Sequence, residues 1–231
     1  MTLAWPAPWL HDLAGFALPQ RCPGCGVPAG SRRLLCEGCL ARIPRLQAPL
    51  CARCLAAGRE PGGCRRHRAF PVFAAWVYDE RAAAIVHALK YADRPALAAP
   101  LGGTLAAALH GAWRRPDLVL EVPLHAARLR ERGYNQAAHL ADGLAESLGA
   151  PRIEAALRRT RATRPQARLG QSQRRANVAG AFEVTRARRL AGRRVLVVDD
   201  VMTTGATLEA CLAALEGAGA RAAGVTLAWA Q

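Results

Sequence analysis

The stretch Val195-Leu-Val-Val-Asp-Asp-Val-Met-Thr-Thr-Gly-Ala-Thr207 decides how the rest of the chain is read. Val195–Val198 is a short β-branched and aliphatic run, the composition of a strand buried on both faces of a parallel sheet. Asp199 and Asp200 are expected where that strand ends. Thr203, Thr204, Gly205 and Thr207 then make a hydroxyl-rich turn, and Leu208-Glu-Ala-Cys-Leu-Ala-Ala-Leu215 has the period of a helix. In open α/β sheets, ligands bind beyond the carboxyl ends of the strands. A helix N-terminus offers unpaired N–H groups and a positive dipole end, which suit a phosphate. Gly205 would let a phosphate come close to the backbone of the turn, which Val201, Met202 and Ala206 complete. Two neighbouring carboxylates can accept hydrogen bonds from a vicinal diol, and a phosphate beside a diol describes a ribose 5-phosphate.

Two other designs share parts of this pattern. A response-regulator receiver domain also carries a strand ending in two acids, but there the pair closes the first strand and a phosphoacceptor Asp follows several elements later. Here 31 residues follow Asp200 and none is Asp. A Walker-type NTPase needs G-x-x-x-x-G-K-[ST], which the chain lacks. The segment resembles the phosphoribosyl-pyrophosphate (PRPP) motif of the type I phosphoribosyltransferases. From about Cys22 to the C-terminus the chain resembles the ComF family of competence-associated proteins, which join a cysteine-rich zinc module to such a domain.

The chain has 231 residues, room for one α/β domain and a small appendage, with a hydrophobic fraction of 52% to supply a core. Its formal net charge of +15 points to polyanionic partners. The bases are almost all arginine, as G+C-rich coding favours whatever the function, so the location of the charge is more informative than its sum. Twelve arginines and one acid, Glu183, fall between Arg158 and Arg194, giving net +11 in 37 residues. Lys90 is the only lysine; it closes the helix expected over Arg81–Tyr91, and the family resemblance places a comparable Leu-Lys there. Residues 1–20 are apolar but carry two early prolines, His11 and Asp12, and lack the positive start of a signal peptide. They read as an apolar cap, with contact at the inner face of the membrane as the alternative, and the chain is expected in the cytoplasm.

Seven of the eight cysteines lie before residue 65. Cys22-P-G-Cys25 and Cys36-E-G-Cys39 are C-x-x-C knuckles ten residues apart; Cys51-A-R-Cys54 is a third, and Cys64-R-R-His67 follows nine residues later. Each C-x-x-C turn places two thiolates to share a tetrahedral zinc ion. Disulfides are the competing reading, disfavoured in a reducing compartment. The simplest assignment is Cys22, Cys25, Cys36 and Cys39 on one ion, and Cys51, Cys54, Cys64 and His67 on a second. Single occupancy and interleaved pairing are the alternatives. The family usually has cysteine where His67 stands. Cys211, outside this region, reads as a buried apolar filler.

The resemblance implies a cysteine-rich, double zinc-ribbon module over residues 21–69 and a phosphoribosyltransferase-like domain over residues 70–231. Strands are expected at Phe73–Tyr78, Leu118–Val122, Arg152–Leu157, Ala181–Val184, Val195–Val198 and Gly224–Trp229. Helices are expected at Arg81–Tyr91, Leu97–Trp113 and Asn135–Leu148. The alternation argues for an α/β fold, a mostly parallel sheet flanked by helices. The segment Val122–Gln136 resembles the family's diphosphate-binding loop. Its Arg128 and Arg132 share a helical face and have the planar fork that suits diphosphate, and His125 is a further candidate. The segment Thr160–Phe182 is long for a loop in a compact domain and resembles the mobile loop that type I enzymes close over the reacting centre. Arg164, Gln166, Arg174, Arg175 and Asn177 are its candidates.

The resemblance implies PRPP as ligand, Mg²⁺ with it, structural Zn²⁺, and transfer through an oxocarbenium-like transition state with cations around the leaving diphosphate. Thr203 stands where 6-oxopurine transferases carry the Asp that takes the purine proton, so hypoxanthine and guanine are disfavoured as acceptors. Two readings remain open: a Mg²⁺-dependent phosphoribosyltransferase, and a binding module that engages PRPP or nucleic acid without turnover. The family's role in DNA uptake implies single-stranded DNA and the uptake machinery as partners.

Overall fold

The computed structural model describes residues 21–29, 34–55, 64, 70–91, 95–161, 175–176 and 178–231. Arg164, Gln166, Arg174, Asn177, His67 and the cap over 1–20 lie outside them. The described elements are α1 (Glu37–Arg42), β1 (Leu50–Cys51), β2 (Pro71–Val77), α2 (Glu80–Tyr91), α3 (Ala98–Ala107), β3 (Leu118–Glu121), α4 (Ala126–Arg132), α5 (Gln136–Leu148), β4 (Leu157–Arg159), β5 (Phe182–Val184), α6 (Ala187–Leu190), β6 (Arg194–Met202), α7 (Ala206–Gly217) and β7 (Arg221–Trp229).

A five-stranded sheet has the order β1-β2-β7-β6-β3. Its β2–β7, β7–β6 and β6–β3 pairs are parallel, and β1 adds antiparallel at the edge. As a central strand, β6 must be apolar on both sides. Leu196 and Val198 face one core with Ile85, Leu101, Leu140 and Leu144, while Val195 and Val197 face the other with Leu157, Leu208, Leu212 and Leu215. β4 and β5 form a separate antiparallel pair. On the first face α3 and α5 touch through glycines: a Cβ on Gly102 would lie 2.2 Å from the Gly143 carbonyl. Asn135 caps α5 by accepting from the Ala137 N–H at 3.1 Å, and Gly149 ends it in the left-handed conformation.

Three expectations are corrected. β6 does not stop before the acids but runs through them to Met202, because β7 keeps pairing as far as Met202↔Trp229. The helix expected over Leu97–Trp113 is α3 flanked by 3₁₀ turns at Pro95–Leu97 and Gly111–Arg114; Gly111, at φ +54°, marks the break. In Arg152–Leu157, Arg152 makes only an isolated bridge to Val119, and regular pairing begins at Leu157 against β5.

The cysteine-rich region is woven into this architecture. The Val77 N–H donates to Pro44 O at 2.8 Å, Leu50 pairs with Val72, and the Ala52 N–H donates to Phe70 O at 3.1 Å, so residues 44–52 run along the edge of β2. Cys22, Leu35, Cys39 and Ile43 join the first core, and Leu50 and Ala52 the second.

Candidate functional site

Because β6 continues through residues 199 and 200, its two acids project to opposite faces. Asp200 follows Leu196 and Val198 and is 4% exposed. Its Oδ2 accepts from Gln136 Nε2 at 2.7 Å and pairs with Lys90 Nζ at 3.1 Å; its Oδ1 accepts from the Val201 N–H at 2.6 Å. Thr226 Oγ1, fully buried on β7, donates to the Asp200 carbonyl at 3.1 Å. The sole lysine of the chain thus neutralises a buried carboxylate, at the last turn of α2 and the first turn of α5.

Asp199 follows Val195 and Val197 toward α7 and is half-buried. Its Oδ1 accepts from the Asp200 N–H at 2.9 Å. Burial, and next the neighbouring Asp200 charge, push its carboxyl up to about 7, while Lys90 and Arg159 pull the other way. Arg159, at the end of β4, stacks over the Phe182 ring at 5.5 Å. Burial lowers its pKa, the Asp199 charge opposes that shift and the Arg128 charge adds to it. Sequence reading counted Arg159 only within the arginine cluster; nothing local singles it out, since the β4–β5 pairing is what delivers it.

Asp199, Val201, Met202, Thr203, Thr204, Gly205, Ala206, Thr207 and Leu208 line one small concavity. Gly205 is the N-cap of α7, at φ +73°, and brings no side chain to close the first-turn N–H groups. That is the form of an anion cradle. The close approach that Gly205 permits here is that of the ribbon: a Cβ at this position would lie 2.2 Å from Ala52 O and 3.3 Å from Leu55 Cδ2. One turn further, Glu209 Oε1 accepts from Arg53 Nε at 2.6 Å, and its Oε2 lies 3.7 Å from Arg175 Nε. Arg175 also donates to Arg53 O. Arg175, one of the lid candidates, is thus tied to the ribbon and α7, where a cavity of about 660 Å³ opens between Phe182, Val178, Ala210 and Ala213.

The diphosphate candidates lie on α4. His125 caps that helix, its Nδ1 accepting from the Ala127 N–H at 3.2 Å. Arg128 is half-buried and pairs with Glu131 at 3.2 Å, and Arg132 lies in the last turn before Gly133. Asn135 Nδ2 donates to Val122 O at 3.1 Å, which closes the segment into a loop from the end of β3 to the start of α5.

Two thiol clusters are present among the described residues. The sulfurs of Cys22, Cys25, Cys36 and Cys39 all lie within 4.8 Å of one another, as do those of Cys51, Cys54 and Cys64. Cys25 and Cys36 Sγ are 3.6 Å apart, and so are Cys54 and Cys64 Sγ. A tetrahedron with Zn–S bonds of ~2.3 Å has edges of about 3.8 Å, so the donor sets fit zinc; all eight cysteines are free thiols rather than disulfides. Backbone N–H groups already point at the sulfurs, Cys39 N to Cys36 Sγ at 3.3 Å and Cys54 N to Cys51 Sγ at 3.5 Å. Burial and neighbouring thiols push the Cys39 thiol far up, and burial pushes Cys51 up to about 11, so a cation is what would hold these sulfurs as thiolates. Cys211 is fully buried in α7, in the second core.

Residues 129–231 match the phosphoribosyl transferase domain family and residues 13–66 the double zinc ribbon domain family. The DNA utilization protein YhgH of Salmonella typhi is 31% identical over 192 residues, 81% of this chain and 74% of its own. The YhgH protein of Escherichia coli K12 is 30% identical over the same shares. Competence protein F of Haemophilus influenzae is 38% identical over 94 residues, 40% of this chain and 41% of its own. Among solved structures, the allosteric regulatory enzyme of purine biosynthesis is similar at a TM-score of 0.42 and 23% identity, over 61% of this chain and 30% of that one. No helix among the described residues is long and apolar enough to cross a membrane.

Proposed function

Since the chain belongs to the ComF family, whose members join a double zinc ribbon to a phosphoribosyl transferase domain, we propose that it binds PRPP at the Asp199–Thr207 turn and serves in the handling of DNA. The observation that carries the ligand is the N-terminus of α7: a twelve-residue helix whose N-cap Gly205, in the left-handed conformation, supplies no side-chain cap, beside a half-buried carboxylate. The 5-phosphate would rest on that turn, with Thr203, Thr204 and Thr207 adding hydroxyl donors. Asp199 would accept from a ribose hydroxyl in its ionised form. Asp200, already holding three donors, acts chiefly by fixing the end of β6 and orienting Val201. Arg128, Arg132 and Arg159 would face the diphosphate.

Magnesium fits as a companion of this ligand, because Mg²⁺ takes one or two carboxylates plus phosphate oxygens and Asp199 is the carboxylate that lines the concavity. It would neutralise charge developing on the diphosphate. The two ribbon clusters would hold one structural zinc each, with His67 completing the second. Association with single-stranded nucleic acid is supported by the net charge of +15 and by relatives named for DNA utilization and competence.

Titration calorimetry with PRPP and Mg²⁺ tests the site. The protein should bind PRPP, and Asp199→Ala should weaken it at least tenfold while zinc content and thermal stability persist. Absence of PRPP binding to the unaltered protein would remove the reading. Diphosphate release from PRPP across a panel of nitrogen nucleophiles then separates a transferase from a module that binds without turnover.

A further inference from the structure

The arginines that crowd the sequence between Arg158 and Arg194 do not share one surface. Those on the hairpin are engaged: Arg158 pairs with Glu183 at 2.7 Å, Arg161 donates to Ala179 O at 2.6 Å, and Arg159 lies against Phe182. Arg175 is bound to the ribbon and α7. Other described arginines of the run gather elsewhere. Arg186, Arg188 and Arg189 stand exposed on and beside α6, and Arg193 is exposed in the turn that enters β6. Arg221, exposed at the start of β7, donates its N–H to Arg193 O at 2.8 Å and is registered beside Arg194. Arg115 is exposed just before β3. Because β3, β6 and β7 are parallel, all of these lie at the amino end of the strands.

This end has little to neutralise it. The acids on the segments 111–117, 186–194 and 216–221 are Asp117 and Glu216. Asp117 is already taken by Arg194, accepting its N–H at 2.7 Å and lying 3.4 Å from its guanidinium. Among the described residues, no ion pair involves Arg115, Arg186, Arg188, Arg189, Arg193 or Arg221. G+C-rich coding exchanges lysine for arginine without altering charge, so it does not account for six exposed cations converging from three separate segments. The exposed large apolar side chains among the described residues are Val27, Tyr78 and Leu129. None is on these segments, so nothing there would insert into a lipid surface. Exposed guanidinium groups without carboxylate partners fit a phosphodiester backbone, which takes bidentate hydrogen bonds from Arg and requires no apolar contact.

We propose that the amino end of the sheet, where Arg186, Arg188, Arg189, Arg193 and Arg221 converge, is the surface on which this protein holds a nucleic-acid backbone, so that nucleic acid and PRPP occupy opposite ends of the same sheet together. This rests on the nucleic-acid reading above. β6 spans nine residues from Arg194 to Met202, roughly 25 Å at the rise of a strand. That is several Debye lengths at physiological salt, so the two anionic ligands would scarcely repel one another.

The test is fluorescence anisotropy with a short labelled oligothymidylate and a duplex of equal length, at about 50 and 200 mM salt, with and without saturating PRPP. The triple variant Arg188→Ser, Arg189→Ser, Arg193→Ser should bind at least tenfold more weakly. The slope of log K against log salt should become shallower by about 2 for the single strand. PRPP affinity should be unchanged in that variant, and saturating PRPP should shift the oligonucleotide affinity of the unaltered protein less than twofold. The corresponding triple lysine variant should keep at least a third of the affinity, which separates charge from fold. Four outcomes overturn the proposal: undiminished binding by the serine variant, equal loss in the lysine variant, displacement of the oligonucleotide by PRPP, or binding to phosphatidylglycerol vesicles with none to either oligonucleotide. Failure of the unaltered protein to bind either oligonucleotide would fell the nucleic-acid reading itself, whereas binding that ignores the serine substitutions would fell only this surface.

Discussion

On one face of the sheet Asp200 is shut in by Lys90 and Gln136 beneath α2 and α5; on the other, one residue away along the chain, Asp199 lies half-open beneath the turn into α7. Each face also carries one thiol cluster. Cys22 and Cys39 of the first set are packed into the same core as Ile85 and Leu140. The second set hangs from β1, and its knuckle lays the Ala52 carbonyl against Gly205 and Arg53 against Glu209. The first face is closed: its charge is neutralised, and its helices touch through Gly102 and Gly143. The second retains a carboxylate that gives up its proton near neutrality and a helix start without a side-chain cap. Rigidity on one side is what allows strained and uncompensated groups to persist on the other.

Four substitutions test that contrast. The largest loss is expected from Lys90→Met, which strands a buried carboxylate without its cation; urea unfolding should register a loss of about 3 kcal/mol. Adding Asp200→Asn should restore much of it, and a double-mutant cycle with no coupling would show that this face is not closed by the pair. Gly205→Ala comes next, combining a left-handed φ with a Cβ 2.2 Å from Ala52 O. About 2 kcal/mol should be lost. Gly103→Ala on the first face, where a Cβ meets nothing within 4 Å, should instead gain some tenths of a kcal/mol. A Gly205→Ala protein as stable as the original would mean that the ribbon does not rest on the turn.

The cysteines sharpen the comparison further. Cys54→Ser and Cys25→Ser, both at exposed thiols, should each remove one zinc by elemental analysis. Only Cys54→Ser should weaken PRPP binding, by about tenfold or 1.4 kcal/mol, because only the second set abuts the turn. Equal effects would dissolve the distinction between the clusters. The smallest effect is that of Asp199→Asn on the ligand-free protein. The Asp199 carboxyl rises from 3.8 to about 7 on folding, so the stability its protonated form contributes is complete below pH 3.8 and lost as pH climbs through 7. An uncharged Asn escapes that loss. The variant should melt with the original protein near pH 4 and about 3 °C above it at pH 8, solvent contact at a half-buried carboxylate limiting the difference to about 1 kcal/mol. Identical melting at both values would show that Asp199 carries no burial penalty.

Several features were legible along the chain because the signals are local. The apolar run of β6, the turn into α7, the C-x-x-C spacings and the caps of α5 at Asn135 and Gly149 each lie within a few residues of what they specify. The break after α3 was also written locally, in Gly111, although the surrounding leucines and alanines carried the helical period past it. What could not be read was contact across the chain. Arg53 and Glu209 are 156 positions apart, and Arg175 and Arg53 are 122 apart. Arg159 stacks on Phe182 only because β4 and β5 pair. Gly205 looked like a residue kept small for a ligand, and its nearest neighbour proved to be the ribbon backbone.

Sequence alone determined the fold type, the family and the two thiol sets, since hydrophobic period, turn chemistry and ligand spacing act over short distances. Only the tertiary structure decided that the adjacent acids part company. A strand alternates its side chains, and β7 extends β6 far enough to impose that alternation on Asp199 and Asp200. It likewise divided one run of arginines between a hairpin that uses its charges and a sheet end that leaves them open, because strand pairing, and not distance along the chain, sets which cations find a carboxylate.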